Sequence, residues 1–486
     1  MRPNTIQMKK SILAILFALS LLAMSCRKEP KPSDDPSLKL DFSADTITFD
    51  TVFTTLGSAT RTLKIYNKSS DYLNISSARL VGGESSPFRF NFDGEAGTEF
   101  YDKQIPAKDS LFAFLRVTIN PNDLNTPFVV EDELEFVTNG NTQTIKLVAW
   151  GQNAVYIVAD QDIGGGFPKF KIIADSLQTT YWTNEKPYVI YGYALVNSYG
   201  TLQIEPGTRV HIHSGGGLWA WSEGQLIING TPDQPVVITG DRLEHEYTDV
   251  AGMWDRIWLM EARTGADHII NNAIIRNGFI GVQAESFLKN TEAPLRIANT
   301  IIENHSGYGI LARHFPIVAY NMVVDNCASG QMALSGGSHR FVHCTFGDYD
   351  FAAAKSTAIY LSNYWETQEA TYLSDLNFSM ENCIVYGKNE EELVTSFYAD
   401  ADSTYSFDHC LFKTKKTAWP CFNSCLFNED PLFVDVNAFD FHLGDMASPA
   451  VGTGNPATAA EVPTDLDGNS RLGTPDMGAY QYNSAH

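Results

Sequence analysis

One four-residue phrase, polar, then variable, then two mostly apolar residues, recurs through the second half of this chain and restricts what it can fold into. It reads Asn272-Ala273-Ile274-Ile275, Asn299-Thr300-Ile301-Ile302 and Asn321-Met322-Val323-Val324. It continues as His343-Cys344-Thr345-Phe346, Asn382-Cys383-Ile384-Val385 and His409-Cys410-Leu411-Phe412. Successive first residues are 27, 22, 22, 39 and 27 positions apart. Such a period means stacked units, none of which buries its apolar face alone. Alternate side chains of a strand share a face, so the second and fourth residues point the same way. Fourth residues (Ile275, Ile302, Val324, Phe346, Val385, Phe412) are all large and apolar, and second residues are mostly small. Both columns are predicted to face inward. Two residues before each phrase, Ile270, Ile297, Ala319, Phe341, Met380 and Phe407 mark the interior of a preceding strand. The polar first residue falls at the bend between strands. There Asn tolerates unusual backbone angles and can bond its copy one coil away.

A polar ladder at the corner with apolar columns inside resembles the right-handed parallel β-helix of the pectin-lyase-like superfamily. Its coils are expected over residues 202–428, where LQIEPGTRV at 202–210, QLIINGTP at 225–232 and PVVITG at 235–240 start the series. Residues 153–201 read as a connecting segment and N-terminal cap. Gly164, Gly165 and Gly166 there are followed by no GK[ST], so they cradle no phosphate. After the last coil, DPLFVD at 430–435, DLDGNSR at 465–471 and DMGAY at 476–480 resemble a recurrent C-terminal segment of secreted bacterial β-helix proteins. Residues 429–486 are therefore expected to cap the solenoid, whose bare sheet edge would invite aggregation.

Residues 38–152 alternate with period two in RTLKIY at 61–66 and LFAFLRVTI at 111–119. Asn139-Gly140, between ELEFV and TQTIKLV, is a hairpin signal. The segment predicts a β-sandwich. Through LKIYN at 63–67, VTINP at 117–121 and IKLVAWG at 145–151 it resembles the immunoglobulin-like domains of the abnormal-spindle and hydin type. The likeness implies a spacer or protein-binding role. The expected fold class is thus all-β, a sandwich followed by a single-stranded β-helix.

Residues 1–25 carry Lys9 and Lys10 before an apolar run too short to span a bilayer comfortably, as in a secretory signal. Leu22-Ala23-Met24-Ser25-Cys26 resembles a bacterial lipobox, which implies cleavage before Cys26 and a lipid on its thiol. An uncleaved anchor is the alternative. Polar, proline-containing residues 26–37 read as a tether. Asp34 and Asp35 resemble surface-export signals of Gram-negative lipoproteins; a plain soluble linker accounts for them equally. The expected address is the cell envelope, at the outer membrane. Without Arg2, Lys9 and Lys10 the chain keeps 31 of its 34 basic residues against 57 acidic, a net of −26. That field repels phosphate backbones and argues against nucleic acid, and it disfavours anionic polysaccharide.

Beyond Cys26, the six cysteines of a chain bound for an oxidising envelope suggest disulfides. The repeat argues for packing instead. Cys344, Cys383 and Cys410 share one inward column, with Cys425 continuing it. Stacked side chains point in parallel, which suits the ~90° disulfide twist poorly. Buried free thiols are predicted, and no Cys/His spacing suggests zinc.

Enzymes of the resembled superfamily work on polysaccharides along one sheet. That sheet is placed after each phrase, with Ile257, Val282, Ala284, Ile310, Ala312 and Ile359 inward. Arg256, Trp258, Gln283, Glu285, Leu311, Arg313 and Tyr360 then face outward, with His314 beside them. Aromatic rings with Arg and carboxylate suit a sugar-binding surface; an ordinary solvent-facing sheet shielded by loops accounts for them too. No lyase set of clustered Asp for Ca²⁺ with a basic residue appears. The Asn-Thr-Asp, Gly-His-Gly and Arg-Ile-Lys set of the pectin hydrolases is absent as well. Asp348/Asp350 and Asp465/Asp467 pair carboxylates but lack the fuller Ca²⁺ ligand set, so they read as turns and no cofactor is expected. His211 and His213 are expected outward without ligands, and Trp219 and Trp221 to pack under a loop. The leading reading is a lipid-anchored β-helix binding carbohydrate or another surface ligand. The alternatives are a polysaccharide lyase or glycoside hydrolase, and an adhesin binding protein through its sandwich.

Overall fold

The computed structural model describes residues 31–55, 57–122, 127–286, 294–349 and 357–484. Cys26 and the signal segment lie outside them. The described residues form two compact units, divided between Gln152 and Asn153.

The first unit is a sandwich of two five-stranded sheets. One is built around Arg61–Tyr66, Ser110–Val117 and Phe88–Phe92; the other around Asn141–Gln152, Phe128–Thr138 and Leu73–Leu80. Period-two alternation sends Leu63, Ile65, Ala113, Leu115 and Val117 into the shared core. Asn139 and Gly140 both take positive φ between the paired Thr138 and Asn141, as a primed two-residue turn requires. Part of the expected tether docks here. The backbone N–H of Ser33 donates to Tyr72 O at 2.8 Å, and the Asn139 side chain to Asp35 O at 2.8 Å. A polar segment need not pack a core to be held by backbone bonds.

The second unit is a parallel β-helix, with one nineteen-stranded sheet and one nine-stranded sheet. Parallel pairing begins at Val155–Val158, on Tyr188–Tyr191, well before residue 202. Residues 153–201 therefore already coil, with Ile157, Ala174 and Trp182 in the same core as later coils. They lack the phrase; the bend before Tyr193–Val196, for example, is made by Gly192 at φ 83°.

In the nineteen-stranded sheet the phrases stack in register: Ile275 pairs with Ile302, that with Val324, and so on through Phe346, Val385 and Phe412. All six are fully buried. The first residues Asn272, Asn299, Asn321, His343, Asn382 and His409 all have φ between 47° and 53°. Asn321 Nδ2 donates to Asn299 Oδ1 at 3.0 Å, and Asn299 Nδ2 to Asn271 Oδ1 at 3.1 Å. A second ladder, at the far end of the same strands, runs Asn326 to Asn304 to Asn277, each bond 2.8 Å. Cys344, Cys383 and Cys410 are buried and unbridged, and burial pushes all three thiols well above their ordinary range.

The C-terminal segment folds back along the flank of these coils. Third residues of the phrase point outward, yet Val323, Ile384 and Leu411 are buried because Phe441, Leu443, Met477, Ala479 and Tyr480 cover them. The ladder doubles as the anchor. Asn382 exchanges bonds with the backbone of Asn455 at 2.6 and 3.0 Å, and Arg471 Nη2 donates to Asn321 Oδ1 at 3.0 Å.

Candidate functional site

The nine-stranded sheet has the expected register. Ile257, Val282, Ile310 and Ile359 stack inward, as do Ala284 and Ala312. One outward column runs Trp219, Trp258, Gln283, Leu311, Ala333, Tyr360; beside it run Glu285, Arg313, Ser335 and Ser362. Pointing outward does not leave these residues open. Gln283 is 4% and Glu285 5% exposed. Trp258 stacks on Trp219, with centroids 4.9 Å apart and planes 6° off parallel. Above Trp219 and Trp221 lies Phe167, in the loop with the glycine triplet. This is an aromatic packing cluster, and it takes up the Trp258 ring.

The polar candidates form a chain across coils. Tyr193 Oη donates to Asp255, which holds Arg256 at 2.8 Å. Arg256 donates to Gln283 Oε1, Gln283 Nε2 to Glu285, and Arg313 Nη1 to Glu285 Oε1 at 2.8 Å. Glu285 thus accepts from two donors, one of them charged. Arg313 reaches the surface at the end of this chain.

There a cleft of about 570 Å³ opens between the sheet and an outlying hairpin. Glu285, Arg313 and His314 form one wall; Trp365, Glu366 and Tyr372 form the other. The hairpin pairs Tyr364–Glu366 with Thr371–Leu373, placing Trp365 directly opposite Tyr372. Their rings stack at 5.2 Å and 9°, a cross-strand aromatic pair that steadies a short hairpin. His314 turns at φ 57°, bonds Ser374 Oγ through Nδ1 and lies 6.0 Å from the Trp365 ring. Glu366 accepts from Tyr398 Oη at 3.3 Å. Tyr360 is outside the cleft, where burial raises its hydroxyl beside Ser396 and Tyr364.

Of the seven predicted residues, Glu285, Arg313 and His314 come together in the cleft. Arg256 and Gln283 brace them from behind, and Trp258 and Tyr360 stand apart. Sequence reasoning missed Trp365, Glu366 and Tyr372. Their signal is the 39-residue step between His343 and Asn382, longer than its neighbours and holding YWE and TYL around a polar turn. Among the described residues no cluster of three or more His, Cys, Asp or Glu is arranged to hold a metal. His211 faces outward, alternating with the inward Val210 and Ile212, but it is covered rather than open: Nδ1 bonds Gly240 O at 3.1 Å, and burial lowers it to about 4. His213 meets Asp241 at 2.7 Å. Asp350 lies outside the described residues, and Asp465 accepts backbone bonds from Asp467 and Asn469, turn chemistry as read.

An immunoglobulin-like sandwich followed by a parallel β-helix is the class this molecule defines. No family model and no curated protein matches the chain. Among solved structures it is similar to a PapD-like domain of human CEP192, at 14% identity over 26% of this chain and 95% of that one, TM-score 0.17. It is also similar to the catalytic domain of a GH87 α-1,3-glucanase in complex with nigerose, at 10% identity over 75% of this chain and 91% of that one, TM-score 0.19. The periplasmic chaperone SfaE matches at 9% identity over 24% of this chain and 58% of that one, TM-score 0.17.

Proposed function

We propose that this is a lipid-anchored cell-envelope protein whose β-helix binds carbohydrate in the cleft between Arg313 and the Trp365–Tyr372 hairpin. The observation that carries the reading is the stacked ring pair facing a braced Arg–carboxylate pair across a cleft. Ligand sites of this kind are mostly apolar walls with a few fixed polar groups. Rings cover the C–H faces of pyranoses, and Arg313, Glu285 and His314 supply donors and acceptors for hydroxyls. Arg313 is already neutralised by Glu285, and Glu366 adds a negative charge. Neutral sugars therefore suit the cleft better than uronates. Anchoring and address rest on the lipobox resemblance at Cys26.

Affinity electrophoresis of the chain without residues 1–26 through gels containing neutral and acidic polysaccharides tests this. Retardation by a neutral glycan, weakened at least about tenfold in Trp365→Ala, is the expected result; about 1.4 kcal/mol is tenfold. Retardation by none of the panel would sink the reading and favour a protein partner for the sandwich. A second reading, a glycoside hydrolase, is favoured by the two carboxylates Glu285 and Glu366 lining one cleft. New reducing ends, abolished by Glu366→Gln while retardation persists, would establish it.

A further inference from the structure

Beyond the fourth residue of each phrase runs another outward column, Arg276, Glu303, Asp325 and Gly347 in register. Asp325 is fully buried there, and among the described residues neither of its carboxylate oxygens has a hydrogen-bond partner. From the preceding coil comes Glu303, itself largely buried, with Arg276 at 3.6 Å and Asp249 nearby. Two residues past the end of its strand, Cys327 gives its thiol to Asp325 O at 3.1 Å, and Asp348 of the next coil acts on that thiol. The C-terminal segment closes the remaining side. The Phe441 ring fills the space where Gly347 has no Cβ. Tyr480 brings its hydroxyl under the influence of Asp467, Asp325, Asp440 and Glu303 together. His442 stacks on Tyr480 at 3.8 Å, held between Asp440 at 2.6 Å and Asp467 at 2.8 Å.

We propose that the C-terminal segment is a pH-sensitive cover, held on the flank while Asp325 carries a proton and His442 is an imidazolium, and loosened as both protons leave. An ionised Asp325 would sit buried beside Glu303 with no hydrogen-bond donor among the described residues. A neutral His442 would leave Asp440 and Asp467 facing each other without the charge between them. Burial, then Glu303, pushes the Asp325 carboxyl well above its usual range. Burial works to lower His442, but the bonds to Asp467 and Asp440 outweigh it and the net change is upward. Both groups thus bind protons more tightly folded than unfolded. Their stabilisation is complete below the unfolded values and is lost as pH rises through the folded ones. The two act in the same direction on one segment. The cover and the aromatic cleft are on different sheets, so the cover can respond to pH whether or not the cleft binds carbohydrate.

Hydrogen exchange read by mass spectrometry on the chain without residues 1–26 tests it. The reporters are the amides of Leu466, Met477 and Ala479, bonded to Ala479 O, Ala450 O and Thr345 Oγ1. The reference is Arg61–Tyr66 in the sandwich, which removes the intrinsic pH dependence. Relative protection is expected to fall more than about tenfold as pH is stepped from about 5.5 to about 9, the direction in which both raised groups give up protons. Asp325→Asn should keep most of it at the upper end, and His442→Gln should lose it already at the lower end. A flat ratio, or an Asp325→Asn profile matching wild type, would overturn the proposal. Should Asp325→Asn not fold, Glu303→Gln must reduce the fall, and an unchanged profile overturns it equally. Abolition of the fall by Glu392→Gln would also overturn it, assigning the effect to the neighbouring Asp348–Glu392 pair.

Discussion

The nineteen-stranded sheet stacks like on like, while the nine-stranded sheet stacks unlike residues. Along the phrase columns of the first, Asn299 meets Asn321, the thiols of Cys344, Cys383 and Cys410 follow one another, and Ile275, Ile302 and Val324 stack, so each coil satisfies the next. In the second, one column reads Trp, Trp, Gln, Leu, Ala, Tyr, and each neighbour pair makes a different contact. Repetition along the phrase columns yields a scaffold. Departure from repetition yields a buried aromatic cluster, a polar chain and a cleft within a few coils.

The largest effect should come from the periodic core. Phe346→Ala is expected to cost about 3–5 kcal/mol in urea unfolding, the range for a buried aromatic truncated to Ala. A smaller value would mean the column closes up around the gap. Asn321→Ala should cost about 2 kcal/mol or more, because Ala is strained at positive φ by about 1–2 kcal/mol and the ladder bonds are lost. Asn321→Gly keeps the backbone angle and should lose only the bonds, about 0.5–1.5 kcal/mol each. Equal costs for the two would refute the ladder as a backbone device.

On the other sheet, cost should depend on the coil. Gln283→Leu removes one hydrogen-bond partner from each of Arg256 and Glu285 at a buried position and should cost about 1–3 kcal/mol. Leu311→Gln, one coil on in the same column, should stay within about 0.5 kcal/mol, as half-buried surface substitutions do. Matching costs would erase the distinction between the sheets. Glu392 sharpens it through pH. Burial first, and then the charge of Asp348, push its carboxyl up to about 8. Its stabilisation is therefore lost as pH rises from the ordinary carboxylate range through 8, and thermal melts of Glu392→Gln should be flatter over that window. Arg313 is itself partly exposed and Lys keeps its charge, so Arg313→Lys should change stability by at most about 1 kcal/mol while weakening glycan retardation.

The corner Asn, the inward second and fourth residues and the sandwich hairpin were legible because each is a local rule of strand and turn geometry. The third residue of the phrase was not. Ile301, Val323 and Ile384 are as apolar as the core, yet their cover arrives from far downstream in the chain. Coiling from Val155 was hidden because bends there lack Asn. The cleft was half legible: period-two alternation put Glu285 and Arg313 on the outer face. It could not show that a hairpin inside a long step would fold over them, nor that Gln283 would be buried by its neighbours.

That cover has a consequence for how the molecule is made. A chain synthesised from its N-terminus completes the coils carrying Val323, Ile384 and Leu411 before Phe441, Met477 and Tyr480 exist. Until the last residues emerge, the nascent coils carry a greasy stripe along their flank, the kind of surface that draws chains into aggregates. Completion of the tail is thus the step that turns a sticky rod into a finished one. A stop codon near residue 430 should leave every coil's sequence intact and still yield insoluble protein.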